Sequence, residues 1–126
     1  MSLKEDQIKK KLFINGLDSF KNSKFYDAHE YWEELWSDYY LEDAKFIQAL
    51  IQLSVGYFHI TNNNKNGAIG LLVKCRGKFE LYKPVCRKIN IEYILKCVNN
   101  SIECLNNINE MKNFNWKLVP NFDIDD

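Results

Sequence analysis

The segment Phe46-Ile-Gln-Ala-Leu-Ile-Gln-Leu-Ser-Val-Gly-Tyr-Phe-His-Ile60 is apolar on nearly every side when wound at helical pitch. A helix of that kind belongs at the centre of a domain, packed on several sides, and its spacing predicts a helix over about Leu41 to Thr61. Upstream, a helix is expected over about Phe25 to Ser37, capped by Ser23. Only a few residues near Asp38 to Tyr40 separate the two, so they should be antiparallel neighbours. A first helix over about Glu5 to Lys21 would bury Ile8, Leu12, Phe13, Leu17 and Phe20. Downstream, Asn62-Asn63-Asn64 reads as a turn. A fourth helix then runs through Ala68, Leu71, Leu72, Cys75, Phe79 and Leu81 to about Tyr82, where Pro84 stops it. A last helix over Ile91 to about Asn109 would bury Ile94, Leu95, Val98, Ile102, Leu105 and Ile108. The tail, residues 112–126, lacks periodicity but carries Trp116, Leu118, Phe122 and Ile124, which suggests an extended segment laid on the bundle. No alternation is long enough for a convincing strand. The expected class is all-α: one domain over residues 1–126, a compact bundle of about five helices around a central apolar one.

At 126 residues and 46% hydrophobic content the chain can bury a single core without metals or disulfides. Its 17 basic and 17 acidic side chains cancel, so no global excess of positive charge would hold a phosphate backbone, and nucleic acid is not expected as a partner. The charged start has no apolar leader, and the central helix is interrupted by Gln48, Gln52 and His59 and too short to span a bilayer. Cys75, Cys86, Cys97 and Cys104 lack the close pairing of zinc or redox motifs and read as reduced core thiols. A soluble protein of the cytoplasm is expected, or of the plastid stroma if the gene is organellar. Lysine greatly outnumbers arginine, and Asn and Ile are abundant, a codon bias that fits an AT-rich bacterial or organellar genome.

Two hairpins also echo one another. Gly16, Phe20, Asn22 and Ala28 recur, at an offset of forty residues, as Gly56, Ile60, Asn62 and Ala68. Small residues facing across a turn are what repeated helical hairpins of the tetratricopeptide kind display.

The residues able to carry chemistry sit on two helices. On the second, His29, Glu33 and Trp36 share one face within about 60°, while Glu30 and Glu34 point away towards solvent. On the central helix, Gln48, Gln52, Val55 and His59 form a polar stripe within about 60°. If the connection is centred on Tyr40, Glu33 should face Gln48, His29 should face Gln52, and His59 should reach the end of the first helix. Such a stripe is either a buried hydrogen-bonded network that fixes helix register or a functional pocket. In the sharper reading His29 and Glu33, one helical turn apart, are metal ligands or an acid/base pair, since a carboxylate beside an imidazole raises its pKa and orients it. The pair supplies two ligands where a catalytic zinc normally takes three, and it is not the HExxH signature.

The run Phe25-Tyr-Asp-Ala-His-Glu-Tyr-Trp-Glu-Glu-Leu-Trp36, followed by Phe46-Ile-Gln-Ala-Leu-Ile-Gln52 and Tyr57-Phe-His59, resembles the bacterial and plastid family called domain of unknown function 309. The resemblance covers about Phe13 to Leu81 and includes Asn64-Lys-Asn-Gly-Ala68. It implies a compact multi-helical domain whose polar cluster comprises His29, Glu33, Gln48, Gln52 and His59. Some members carry the label of a metal-dependent hydrolase, which implies a divalent metal at His29, Glu33 and His59. The glycine common between the two glutamines is Ala49 here, which narrows any space beside the helix.

Two functions follow, the first favoured because His29, Glu33, Gln48 and Gln52 are more polar groups than register-setting usually requires and the second its alternative. One is a small-ligand or metal-binding pocket, in the sharpest form a hydrolase, built from His29, Glu33, Trp36, Gln48, Gln52 and His59. The other is a non-catalytic helical adaptor for a peptide or protein partner, with the polar cluster purely structural.

Overall fold

The computed structural model describes residues 3–123. Its order is α1 (Leu3–Lys21), α2 (Phe25–Asp38), α3 (Ala44–Thr61), α4 (Lys65–Phe79), the strands β1 (Val85–Cys86) and β2 (Ile89–Asn90), and α5 (Ile91–Asn107). Single 3-10 turns follow α4 and lie along the tail. The bundle is all-α, with β1 and β2 forming one antiparallel two-stranded ribbon. Arg87 and Lys88 both take positive φ (48° and 66°) in the turn between the strands, the handedness that tight hairpins require. Among the described residues no helix is long and apolar enough to cross a membrane.

α3 is the centre, with Phe46, Ile47, Ala49, Leu50, Leu53 and Tyr57 fully buried against its neighbours. The core runs from Leu12 on α1 through Trp32 and Leu35 on α2 to Leu72 and Phe79 on α4 and Val98 and Leu105 on α5. Polar groups inside it are paired. Trp32 Nε1 donates to the Phe13 carbonyl at 3.2 Å, tying α2 to α1. The Tyr57 and Ser101 hydroxyls meet at 2.9 Å, tying α3 to α5.

The α1–α2 and α3–α4 hairpins repeat in backbone detail at the forty-residue offset. Ser23 and Asn63 occupy the left-handed region at φ 61° and 58°. The Lys24 amide donates to Ser19 O at 2.8 Å, and the Asn64 amide donates to His59 O at 2.9 Å. Gly16 lies against Trp32 and Gly56 against Leu72, the same step of the offset.

Several boundaries differ from expectation for identifiable reasons. Ser23 does not cap α2; it makes the left-handed turn, and Lys24 is the capping residue without a side-chain bond. Asn64 and Asn90 do cap α4 and α5, accepting from Gly67 N at 2.9 Å and Tyr93 N at 3.1 Å. α3 begins at Ala44 rather than Leu41, and Asp43 just before it is engaged by Arg87 (Nε to Oδ2, 2.6 Å) instead of capping the helix. α4 ends at Phe79, and the 3-10 turn beyond it turns Leu81 outward, 65% exposed. Ile8 is 37% exposed, because the buried face of α1 starts only at Leu12. The tail lies on the bundle, burying Met111, Phe114 and Phe122, but it winds into 3-10 turns at Met111–Asn113 and Trp116–Leu118. Phe122 packs edge-on against Phe20 at 5.0 Å. Ile124 falls outside the described residues.

Candidate functional site

α2 and α3 place the six candidate residues. α2 buries Phe25, Ala28, Trp32 and Leu35, which turns His29, Glu33 and Trp36 towards its open side. α3 buries almost everything except a stripe of half-buried residues, Gln48, Gln52, Val55 and His59, on the shared face that helical spacing predicts. The faces are therefore as read, but the burial is not. His29, Glu33, Gln48, Gln52 and His59 are all half-buried, and Trp36 is 38% exposed. Groups that keep contact with water need no internal partner. Among the described residues no buried side-chain nitrogen or oxygen lacks one.

His29, Gln52 and His59 look to separate partners. His29 Nδ1 lies 3.3 Å from the Tyr26 carbonyl oxygen one turn earlier, and its ring packs on Tyr26 at 5.2 Å. Tyr26 in turn packs on Phe58 of α3, also at 5.2 Å. Asn64 Nδ2 donates to His59 Nδ1 at 3.4 Å, so this imidazole belongs to the α3–α4 turn. Lys78 Nζ donates to Gln52 Oε1 at 3.1 Å, linking α3 to α4 rather than to α2. No hydrogen bond or ion pair joins the five polar residues to one another among those described. Part of the reason is register. The ring pairs Phe25–Tyr57 and Tyr26–Phe58 are centred on Leu41 and Glu42, not on Tyr40, because α3 starts later than its sequence suggests.

A catalytic metal needs about three protein donors converging on one point. Among the described residues no group of three or more His, Cys, Asp or Glu side chains is arranged to hold an ion. His29, Glu33 and His59 thus do not form the three-donor set that the hydrolase label implies, and the residues present do not fit such a centre.

A second polar constellation lies at the start of α3. Asp43 accepts from Arg87 through both oxygens, at 2.6 and 3.0 Å, the Cys86 thiol approaches Oδ2 at 3.9 Å, and the guanidinium lies 4.7 Å from the Phe13 ring centre. Partial burial raises the Asp43 carboxyl pKa, but the Arg87 hydrogen bond and charge outweigh it, leaving the pKa lowered. Burial and the neighbouring carboxylate push the Cys86 thiol up to about 11. Nothing in the spacing of Asp43 and Arg87 announces this pair, since it depends on the ribbon folding back over the start of α3.

Residues 13–71 match the family model for the domain of unknown function DUF309. These residues belong to the DUF309 family. The DUF309 span takes in the C-terminal part of α1, all of α2 and α3 and the first part of α4, and it contains all six candidate residues. It ends ten residues before Leu81, so the C-terminal half of α4, α5 and the tail lie outside it. No curated protein and no solved structure matches the chain.

Proposed function

We propose that the chain is a non-catalytic helical adaptor, with tetratricopeptide-like hairpins that offer the α2–α3 face to a peptide or protein partner. The observation that carries this reading is the layout of His29, Glu33, Gln48, Gln52 and His59. They stand half-buried on α2 and α3, with His29, Gln52 and His59 each held by a separate neighbour, instead of converging on a point. Amide and imidazole groups displayed in a row suit hydrogen bonding to a partner's backbone, and Trp36 beside them supplies an aromatic anchor of the type enriched where partners bind. The forty-residue repeat supports it further, because stacked hairpins are a common way to build an extended recognition face.

The test replaces Trp36 with a photo-crosslinking benzoylphenylalanine in the full chain, expressed in cells that contain its natural partners. A control carries the same group at Lys74, exposed on α4. A discrete crosslinked species from position 36 and none from position 74 is the expected result. Equal labelling from both positions, or none from 36, overturns the reading.

A further inference from the structure

Three polar groups on α2 and α3 have their hydrogen-bonding sense fixed by neighbours that act in one way only. Asn64 Oδ1 takes the Gly67 amide, so Asn64 turns its Nδ2 to His59, and His59 Nδ1 must accept. The proton of the neutral His59 ring therefore sits on Nε2, which is a donor. A lysine ammonium only donates, so Gln52 gives its Oε1 to Lys78 and keeps its amide N–H groups. The Tyr26 carbonyl only accepts, which puts the His29 proton on Nδ1 and leaves Nε2 as an acceptor. Among the described residues neither the Gln52 amide nitrogen nor His59 Nε2 has an acceptor. Gln52 and His59 stand two turns apart on one face of α3, about 10 Å along its axis. Beside them, Tyr26 packs on both His29 and Phe58 and is still 50% exposed.

We infer that this α2–α3 face docks a proline-rich segment of a partner protein in the polyproline II conformation. The inference rests on the adaptor reading and names the chemistry and conformation of the partner. Two donors call for two acceptors at matching spacing. Polyproline II turns once in three residues and rises about 3.1 Å per residue, so carbonyls at i and i+3 point the same way about 9 Å apart, close to the Gln52–His59 separation. Those carbonyls have no internal hydrogen bonds, and proline brings an acceptor with no N–H to compete. A partner helix ties up its carbonyls internally, and a β-strand repeats those on one edge only about every 7 Å. Prolyl rings pack on exposed aromatic faces, which Tyr26 and Trp36 provide. His29 Nε2, the acceptor of the three groups, takes the N–H of a non-proline residue in the segment. A second copy of the chain does not supply such a segment, since Pro84 and Pro120 each stand alone.

The experiment is fluorescence anisotropy of a dye-labelled Ala-Pro-Pro repeat peptide titrated with the full chain, beside a Gly-Ser peptide and an alanine-rich helical peptide of the same length. Saturable binding of the proline peptide alone is expected. Gln52→Glu keeps an oxygen for Lys78 but replaces the outward donors with an acceptor, and should weaken binding about tenfold. His59→Phe keeps a ring and loses the donor, and should weaken it several-fold. Lys96→Gln, at an exposed site on α5, should change the affinity by less than about twofold. Circular dichroism of each variant confirms that the fold is kept. Equal binding of the Gly-Ser or the helical peptide, an affinity unchanged by Gln52→Glu and His59→Phe, or a dimer that these variants dissociate overturns the inference. So does a proline peptide that does not bind. If that peptide fails while the crosslink from position 36 forms, the partner chemistry is wrong and the adaptor stands; if both fail, both are wrong.

Discussion

An ideal Cβ at Gly16 would stand 2.1 Å from Trp32 Nε1, inside the indole whose N–H is held by the Phe13 carbonyl. Gly16→Ala must displace that ring, and a loss of about 2–3 kcal/mol is expected from overpacking. Gly70 meets nothing within 4 Å on the exposed side of α4, so Gly70→Ala should raise stability by about 0.5–1 kcal/mol through helix propensity. Urea unfolding of the two variants checks both signs. The Gly16–Trp32 contact was half legible in sequence: the glycine stood out through its echo at Gly56, but the residue it accommodates sits on another helix, and no local spacing names it. Cysteine chemistry is also local. Burial pushes the Cys75 thiol up to about 12, and its Sγ donates to the Leu72 carbonyl at 3.2 Å. Iodoacetamide at neutral pH should therefore leave Cys75 unmodified until the protein is unfolded, which mass spectrometry would show.

At the level of elements, the helices were readable because their apolar spacing is dense, α3 above all, whereas the start of α3 and the register of α2 against it were not. Asp43, just before α3, is held by a ribbon more than forty residues away in sequence, a contact that local spacing does not encode. The shared faces of His29 with Glu33 and of Gln48 with Gln52 and His59 follow from helix geometry and stand as read. How deeply those faces are buried depends on what covers them, and helical periodicity carries no such information. The half-buried row is expected to contribute little to stability: His29→Ala, Gln48→Ala and Gln52→Ala should each cost no more than about 0.5–1 kcal/mol in urea unfolding. Tyr57→Phe, by contrast, strands the buried Ser101 hydroxyl and should cost about 1–2 kcal/mol. A loss of several kcal/mol in the first set would mean that the row is a structural network after all.

Across the whole molecule, the Asp43–Arg87 pair fastens the ribbon to the α2–α3 connection and makes stability depend on pH. Because the folded-state pKa of Asp43 lies below its ordinary 3.8, the pair stabilises the fold above that value, and its contribution is lost as the pH falls through the folded pKa. Wild type should therefore lose more stability than Asp43→Asn between neutral pH and the range below 3.8, as thermal unfolding across pH would record. At this scale the molecule comprises the segment that matches DUF309, residues 13–71, and a C-terminal part that packs on the core through Ser101, Phe114 and Phe122. A docking face and a metal-dependent hydrolase site make opposite demands on His29, which is a surface imidazole in one and a ligand in the other. Elemental analysis of the purified, untagged protein beside His29→Ala separates them. The docking account predicts that neither protein retains zinc, manganese or iron in stoichiometric amount; one equivalent of metal in the wild type that disappears in His29→Ala would contradict it.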